Sequence, residues 1–149
     1  MHSLAFRALD RHVVDGRADD PALVTAEGSW SFAQLLHESA SLAGGLRELG
    51  VVAGTPLDIA VTVERPRVVS VLAVVRLGAE PDSGARYRIG GEPLTVTTPD
   101  ESFDYDLVLR AGRVDPATAP ARDAEGYADR LLEHYGDLLE PLIGGRPLA

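Results

Sequence analysis

Apolar positions along this chain repeat with two periods, near 3.6 residues in some stretches and 2 in others, and the two alternate. Leu4, Phe6, Leu9 and Val13 predict a short amphipathic helix over roughly Ser3 to Val14. Gly16 and Pro21 interrupt it, and "ALVT" followed by "AEGSW" predicts a small β-hairpin turning at Gly28. The strongest helical pattern follows. Phe32, Leu35, Leu42, Leu46 and Leu49 share one stripe with Ser39 filling the 3-4 spacing. Ser31 and Gln34 stand at capping-box spacing, Trp30 and Leu35 at the two hydrophobic-staple positions, and Gly50 where a left-handed residue ends a helix.

Alternation then takes over. "TPLDIAVTV" predicts a strand centred on Pro56 to Val63, with Leu57, Ile59, Val61 and Val63 on one face. A valine-rich helix starts near Pro66, a residue suited to a first helical turn, and stops at Gly78. Val68, Val69, Val71, Leu72, Val74 and Val75 make it apolar nearly all round, so it needs cover on more than one side. Further strands are predicted at "AEPDS", at Leu94 to Thr98 and at "DYDLVLR". A Pro/Ala-rich loop follows, then a closing helix from near Asp123 with Tyr127, Leu131, Tyr135 and Leu138 on one side. Strands alternating with helices predict an α/β domain with a layered, largely parallel sheet flanked by helices. Residues 1–149 are expected to form one such domain.

Composition narrows the function classes. A formal net charge of −9 opposes nucleic-acid binding, which depends on a basic face that neutralises phosphates. It equally opposes anionic membrane surfaces. The longest apolar run, Val68 to Val75, is too short to span a bilayer, and the charged N-terminal stretch is not expected to be a signal peptide. With no cysteine there is no disulfide framework and no sulfur metal site. The expectation is a cytoplasmic protein with no metal and no cofactor. Lysine is absent, so all 14 basic side chains are arginine.

The ordered set "PALV", "SFAQL", "LAGGLRELGVVAGTPLDIAV" and "VLAVVRLGAEP", within residues 19 to 81, resembles the N-terminal portion of the adenylate-forming superfamily of acyl-CoA synthetases, adenylation domains and luciferases. The resemblance implies scaffold residues beside an acyl pocket. Nucleotide chemistry in that family belongs to a Ser/Thr/Gly-rich loop ending in lysine, an aromatic-Gly-x-Thr-Glu segment, a ribose-binding aspartate and a mobile-domain lysine. A phosphate loop works through backbone amides and a lysine charge, and no stretch of this chain has that composition. "YRIGGEP" is similar to the ribose-binding segment but has Gly91 in place of the acid. "GRVD" at Gly112 to Asp115 is similar to the hinge motif, but no "K-x-x-G" follows it. "HYGDLLE" has Leu138 where threonine belongs. Residues 82 to 149 look similar to short stand-alone actinobacterial relatives that lack the adenylation motifs.

Other chemistry finds little support. His2, His12, His37 and His134 show no ligand spacing, and a Ser29, His37, Asp58 set has nothing in its spacing to select it. Gly44 and Gly45 follow no strand, which excludes a dinucleotide fingerprint. They are expected to let their helix approach the sheet. Four acids within Asp100 to Asp106 lack the spaced oxygens and glycine of a calcium loop. If a ligand site exists, the rule for open α/β sheets places it beyond the strand carboxyl ends. That selects Glu64, Arg65, Asp82, Ser83, Thr98 and Arg110. The leading expectation is a non-catalytic remnant of the family fold that acts as a partner or regulatory protein. It would form a homodimer or bind a protein through the valine-rich or closing helix. The alternatives are a small-molecule site or enzyme of unrelated chemistry at the strand ends, and one piece of a split acid-activating ligase.

Overall fold

A computed structural model describes residues 2–149. An N-terminal helical stretch with two π-helical segments, Phe6–Asp10 and Val13–Arg17, leads into strands β1 (Pro21–Thr25) and β2 (Gly28–Ser31). These two form a separate antiparallel hairpin. Then come α1 (Phe32–Glu48), β3 (Pro56–Ala60), α2 (Glu64–Leu77), β4 (Glu80–Pro81), β5 (Tyr87–Gly90), β6 (Thr95–Thr97), β7 (Ser102–Asp104), α3 (Tyr105–Gly112) and α4 (Tyr127–Ile143). The main sheet has the order β4-β3-β5-β6-β7. The layered α/β class is as the sequence pattern predicts. The sheet is mixed: β3 is parallel to β4 and β5, while β5–β6 and β6–β7 are antiparallel.

Register explains why the sheet is stable with one face open. Ile59 pairs with Ile89, Ile89 with Val96 and Val96 with Phe103, so paired apolar side chains line one face. On the other face Asp58 pairs with Arg88 in an ion pair of 3.5 Å, and Thr97 meets Ser102 at 3.1 Å. Helix α2 packs on β3 and α3 on β6 and β7, with α1 laid over α2 and α3.

Helix α1 forms as its caps dictate. The Ser31 Oγ accepts from the Gln34 amide at 3.1 Å, and the Ser31 amide donates to Gln34 Oε1 at 2.8 Å. Its stripe of Phe32, Leu35, Ser39, Leu42 and Leu46 is fully buried. Gly44 and Gly45, however, do not face the sheet. A β-carbon on Gly45 would collide with the Val108 carbonyl, and one on Gly44 would meet Pro116 Cα at 2.9 Å, so both admit α3 and the segment after it.

Several segments depart from the sequence pattern: β3 ends at Ala60 instead of Val63, and Ser102–Asp104 is an unpredicted strand. "DYDLVLR" is the helix α3, not a strand. Tyr105, Val108, Leu109 and Gly112 are buried while Leu107 is exposed, which is the i, i+3, i+4, i+7 face of a helix. Tyr87–Gly90, for which the sequence pattern predicts no element, is a strand held between β3 and β6. The closing helix starts at Tyr127, four residues later than the pattern suggests, behind Gly126 at φ 73°.

Of the two helices expected to drive association, the valine-rich one is covered within the chain, whereas Tyr135 of the closing helix stays half-buried. Every residue of α2 from Val68 to Leu77 is buried within one chain, and α4 packs against the N-terminal helix, α2 and β4. Tyr127, Leu131, Leu138, Leu139 and Leu142 are buried there, so α2 presents no apolar face for pairing. The N-terminal stretch also ties down the end of α4. Arg11 donates to the Ile143 carbonyl, Arg17 to that of Gly145, and His12 Nε2 lies 2.7 Å from that of Leu142. The Leu142 and Ile143 carbonyls are ones that a helix end leaves without intrahelical partners, and Gly145 follows directly after the cap.

Buried phenols make the fold sensitive to alkali. Tyr127 donates to the Ala79 carbonyl at 2.8 Å, and burial, reinforced by Glu80 and Asp123, pushes its titration above the usual phenol range. A raised native pKa means the native state holds its proton while the unfolded state releases it above about pH 10. Its contribution is therefore intact below pH 10 and is lost as pH rises beyond it. Stability at pH 11 should be lower by about 1.4 kcal/mol from this residue alone. Urea unfolding at pH 8, 10 and 11 checks this, and Tyr127→Phe should flatten the profile.

Candidate functional site

The strand ends do frame a cleft. Beyond the carboxyl end of β3 the chain enters α2 through Val63, Glu64, Arg65 and Pro66, which form one wall of a cavity of about 370 Å³. The β1–β2 turn supplies Thr25, Ala26 and Glu27, β2 supplies Trp30 and α1 supplies Glu38. The start of α3 closes it with Tyr105, Asp106 and Leu109. A volume in this range suits a small organic molecule.

Arg65 organises the cleft. Its guanidinium donates to both oxygens of Glu38, at 2.7 and 3.1 Å, and lies 4.9 Å from the centroid of the Trp30 ring. The bidentate fork fixes the carboxylate in a plane and the indole face holds the cation above it. The Glu38 side chain is only 13% exposed.

Tyr105 is the buried polar group of the cleft, at 6% exposure. Burial pushes its titration above the ordinary phenol range, and the Glu38 carboxylate adds to the rise. Ser70 and Arg65 pull it down, and Asp106 raises it again. The phenol is therefore a neutral hydroxyl at physiological pH, with Glu38 and Asp106 both within electrostatic reach. Ser70 Oγ lies beside it but outside hydrogen-bond geometry, so this fully buried hydroxyl has no partner among the described residues. An unpaired buried hydroxyl costs stability.

Two of the six residues selected by the strand-end rule, Glu64 and Arg65, line the cleft. The others have local duties elsewhere. Asp82 Oδ1 accepts from the Gly84 amide in the turn after β4, next to Ser83. Thr98 Oγ1 accepts from the amides of Asp100 and Glu101 and donates to the Glu101 carbonyl, closing the turn before β7. Arg110 reaches back along its own helix to the Asp106 carbonyl. Trp30, Glu38, Tyr105 and Asp106 were missed. Trp30 reads as a staple, Glu38 as the polar side of α1, and Tyr105 as part of a strand. A second hollow, about 240 Å³ beside His37, has Arg76 at its base. Each of the three guanidinium nitrogens is already engaged, by Asp10 and two carbonyls. Among the described residues no three histidine, aspartate or glutamate side chains gather as a metal set, and no helix is long and apolar enough to cross a membrane.

No family model matches the chain. Acetyl-coenzyme A synthetase of Deinococcus radiodurans is 35% identical over 83 residues, which are 52% of this chain and 13% of that protein. An uncharacterized protein of Pseudomonas aeruginosa is 36% identical over 81 residues, again 13% of its length. Among solved structures, NpsA-ThdA, an artificially fused adenylation–PCP di-domain NRPS from Klebsiella oxytoca, superposes with a TM-score of 0.58 at 14% identity. That match covers 83% of this chain and 26% of the other, and at such identity it is a likeness of fold. This chain thus spans about an eighth of the length of the curated proteins it resembles. Sequence and fold agree: the chain is a relative of the adenylate-forming superfamily.

Proposed function

We propose that the chain is a non-catalytic relative of the adenylate-forming fold that works by binding a small molecule in the cleft between β3 and α3. The observation that carries this is the convergence of Trp30, Glu38, Arg65 and the buried Tyr105 on one concave site. Sites of this form, apolar walls with a few placed polar groups, are the usual small-molecule sites of α/β proteins. A protein-docking role would draw instead on a flat apolar patch, and the valine-rich helix that would furnish one is covered. The 149 residues contain no lysine to place against a developing adenylate charge.

The test has two parts. In a fragment screen followed by amide NMR, perturbations should cluster on Trp30, Glu38, Arg65 and Tyr105. ATP–pyrophosphate exchange with a panel of carboxylic acids should remain at the no-protein blank. Perturbations scattered away from the cleft defeat the binding role, and robust exchange defeats the non-catalytic one.

A further inference from the structure

Charge identifies the class of ligand. Four carboxylates line the cleft, those of Glu27, Glu38, Glu64 and Asp106, against the single guanidinium of Arg65. That guanidinium is already committed to Glu38 through two hydrogen bonds. The amino ends of α2 and α3 also point here, and each carries roughly half a positive charge. Two such ends and one arginine are outweighed by four acids, so the cleft favours a cation. Glu64 and Asp106 themselves occupy the first turns of those helices and offset the two ends.

The surrounding groups point the same way. The Trp30 face already holds a cation, the guanidinium of Arg65. Trp30, Val63, Pro66 and Leu109 give the cleft apolar walls. Tyr105 is more than nine-tenths buried, and its hydroxyl lies beside the partnerless Ser70 Oγ. A hydroxyl both donates and accepts, so the Tyr105 oxygen can accept a hydrogen bond from an ammonium donor. Glu27, Glu64 and Asp106 stand at the exposed rim, whereas Glu38 is largely shielded and the buried Tyr105 phenol stands beside it.

Resting on the binding role above, we propose that the cleft takes a small organic ammonium ion with an apolar or aromatic body. Its charge would lie among Glu38, Asp106 and the Tyr105 hydroxyl, and its body against Trp30 and Leu109.

Trp30 is the only tryptophan, so its fluorescence reports this cleft without labelling. The probes are phenethylamine, 2-phenylethanol and 3-phenylpropionate, which share an aromatic body and differ in charge. The amine should bind at least about tenfold more tightly than either analogue, and more weakly as salt is raised. Asp106→Asn replaces an exposed side chain and should weaken the amine several-fold with the melting temperature unchanged. Tyr105→Phe keeps the packing and should weaken the amine more than the alcohol, whose hydroxyl makes the weaker, uncharged bond, and leave the carboxylate as it was. Tighter binding of the alcohol or the carboxylate overturns the cation assignment and leaves the cleft as a binding site. If none of the three probes, nor any fragment of the NMR screen, perturbs Trp30, both are overturned.

Discussion

Gly112→Ala should be among the most damaging single methyl groups that can be added to this protein. A β-carbon on Gly112 would lie inside the van der Waals shell of the Ser41 carbonyl oxygen and 2.6 Å from the Gly45 amide nitrogen. Both obstacles are backbone of α1, which cannot rotate aside as a side chain would. To admit the methyl group, α3 has to lift off α1 and take Tyr105, Val108 and Leu109 partly out of the core. Overpacking of a tight core costs about 1–3 kcal/mol where neighbours can adjust. With rigid backbone on the far side the cost should be at least about 3 kcal/mol, a large share of the stability of a small domain. Gly136→Ala is the matched control: α4 has ordinary space there, the nearest atom being Glu140 Cδ at 3.8 Å. It should be neutral or stabilising by up to about 1 kcal/mol through helix propensity. Urea unfolding of the two variants decides the matter, and a cost for Gly112→Ala below that of an ordinary core substitution would show that the two helices are not tightly engaged. The same contact shapes the cleft, because α3 carries Tyr105 and Asp106 into it.

That helix contact also shows where the sequence was legible and where it was not. The α1 cap and stripe could be read directly, because Ser31, Gln34 and the leucine spacing are local signals whose partners lie within one turn or two. Helix α3 could not. Its eight residues offer Tyr105, Leu107 and Leu109 to a strand pattern as readily as Tyr105, Val108, Leu109 and Gly112 to a helical one, and only contact with Gly45 and Ser41 selects between them. Gly44 and Gly45 announced a close approach without naming the partner. Strand β5 has four residues, Tyr87 to Gly90, and owes its conformation to β3 and β6 on either side. The site divides in the same way. Glu64 and Arg65 follow from a topological rule, since they come directly after a central strand. Glu38 and Trp30 reach the cleft from other elements, and no spacing in the sequence links them to Arg65.

Arg76→Met should cost about 3–5 kcal/mol, the usual range when one partner of a buried pair is removed. The Arg76 side chain is 1% exposed in the middle of the valine-rich helix, where an apolar residue would be expected. Its charge is tolerated because all three guanidinium nitrogens donate, in four hydrogen bonds. Two nitrogens grip the Asp10 carboxylate at 2.6 and 2.9 Å, and the same head donates to the carbonyls of Ala117 at 2.6 Å and Thr118 at 2.9 Å. One residue thereby joins α2 to the N-terminal helix and to the Pro/Ala-rich loop, a segment with little apolar side chain of its own to anchor it. Losing the arginine strands a carboxylate that is only 15% exposed, together with two carbonyls. The double variant Asp10→Leu with Arg76→Met separates these costs. Replacing both charges with apolar groups removes the stranded carboxylate and is often close to neutral for an isolated pair. The Ala117 and Thr118 carbonyls, however, lose their donor in both variants. The double variant should therefore recover part of the loss and leave roughly 1–3 kcal/mol outstanding. Amide exchange gives the finer readout: protection of Ala117 and Ala121 should fall in the double variant while that of α1 stays. Full recovery of stability would mean that the loop is held by its other bonds, those of Ala117 to Ala40 and Ala121 to Arg76 backbone, and that the arginine serves only its aspartate.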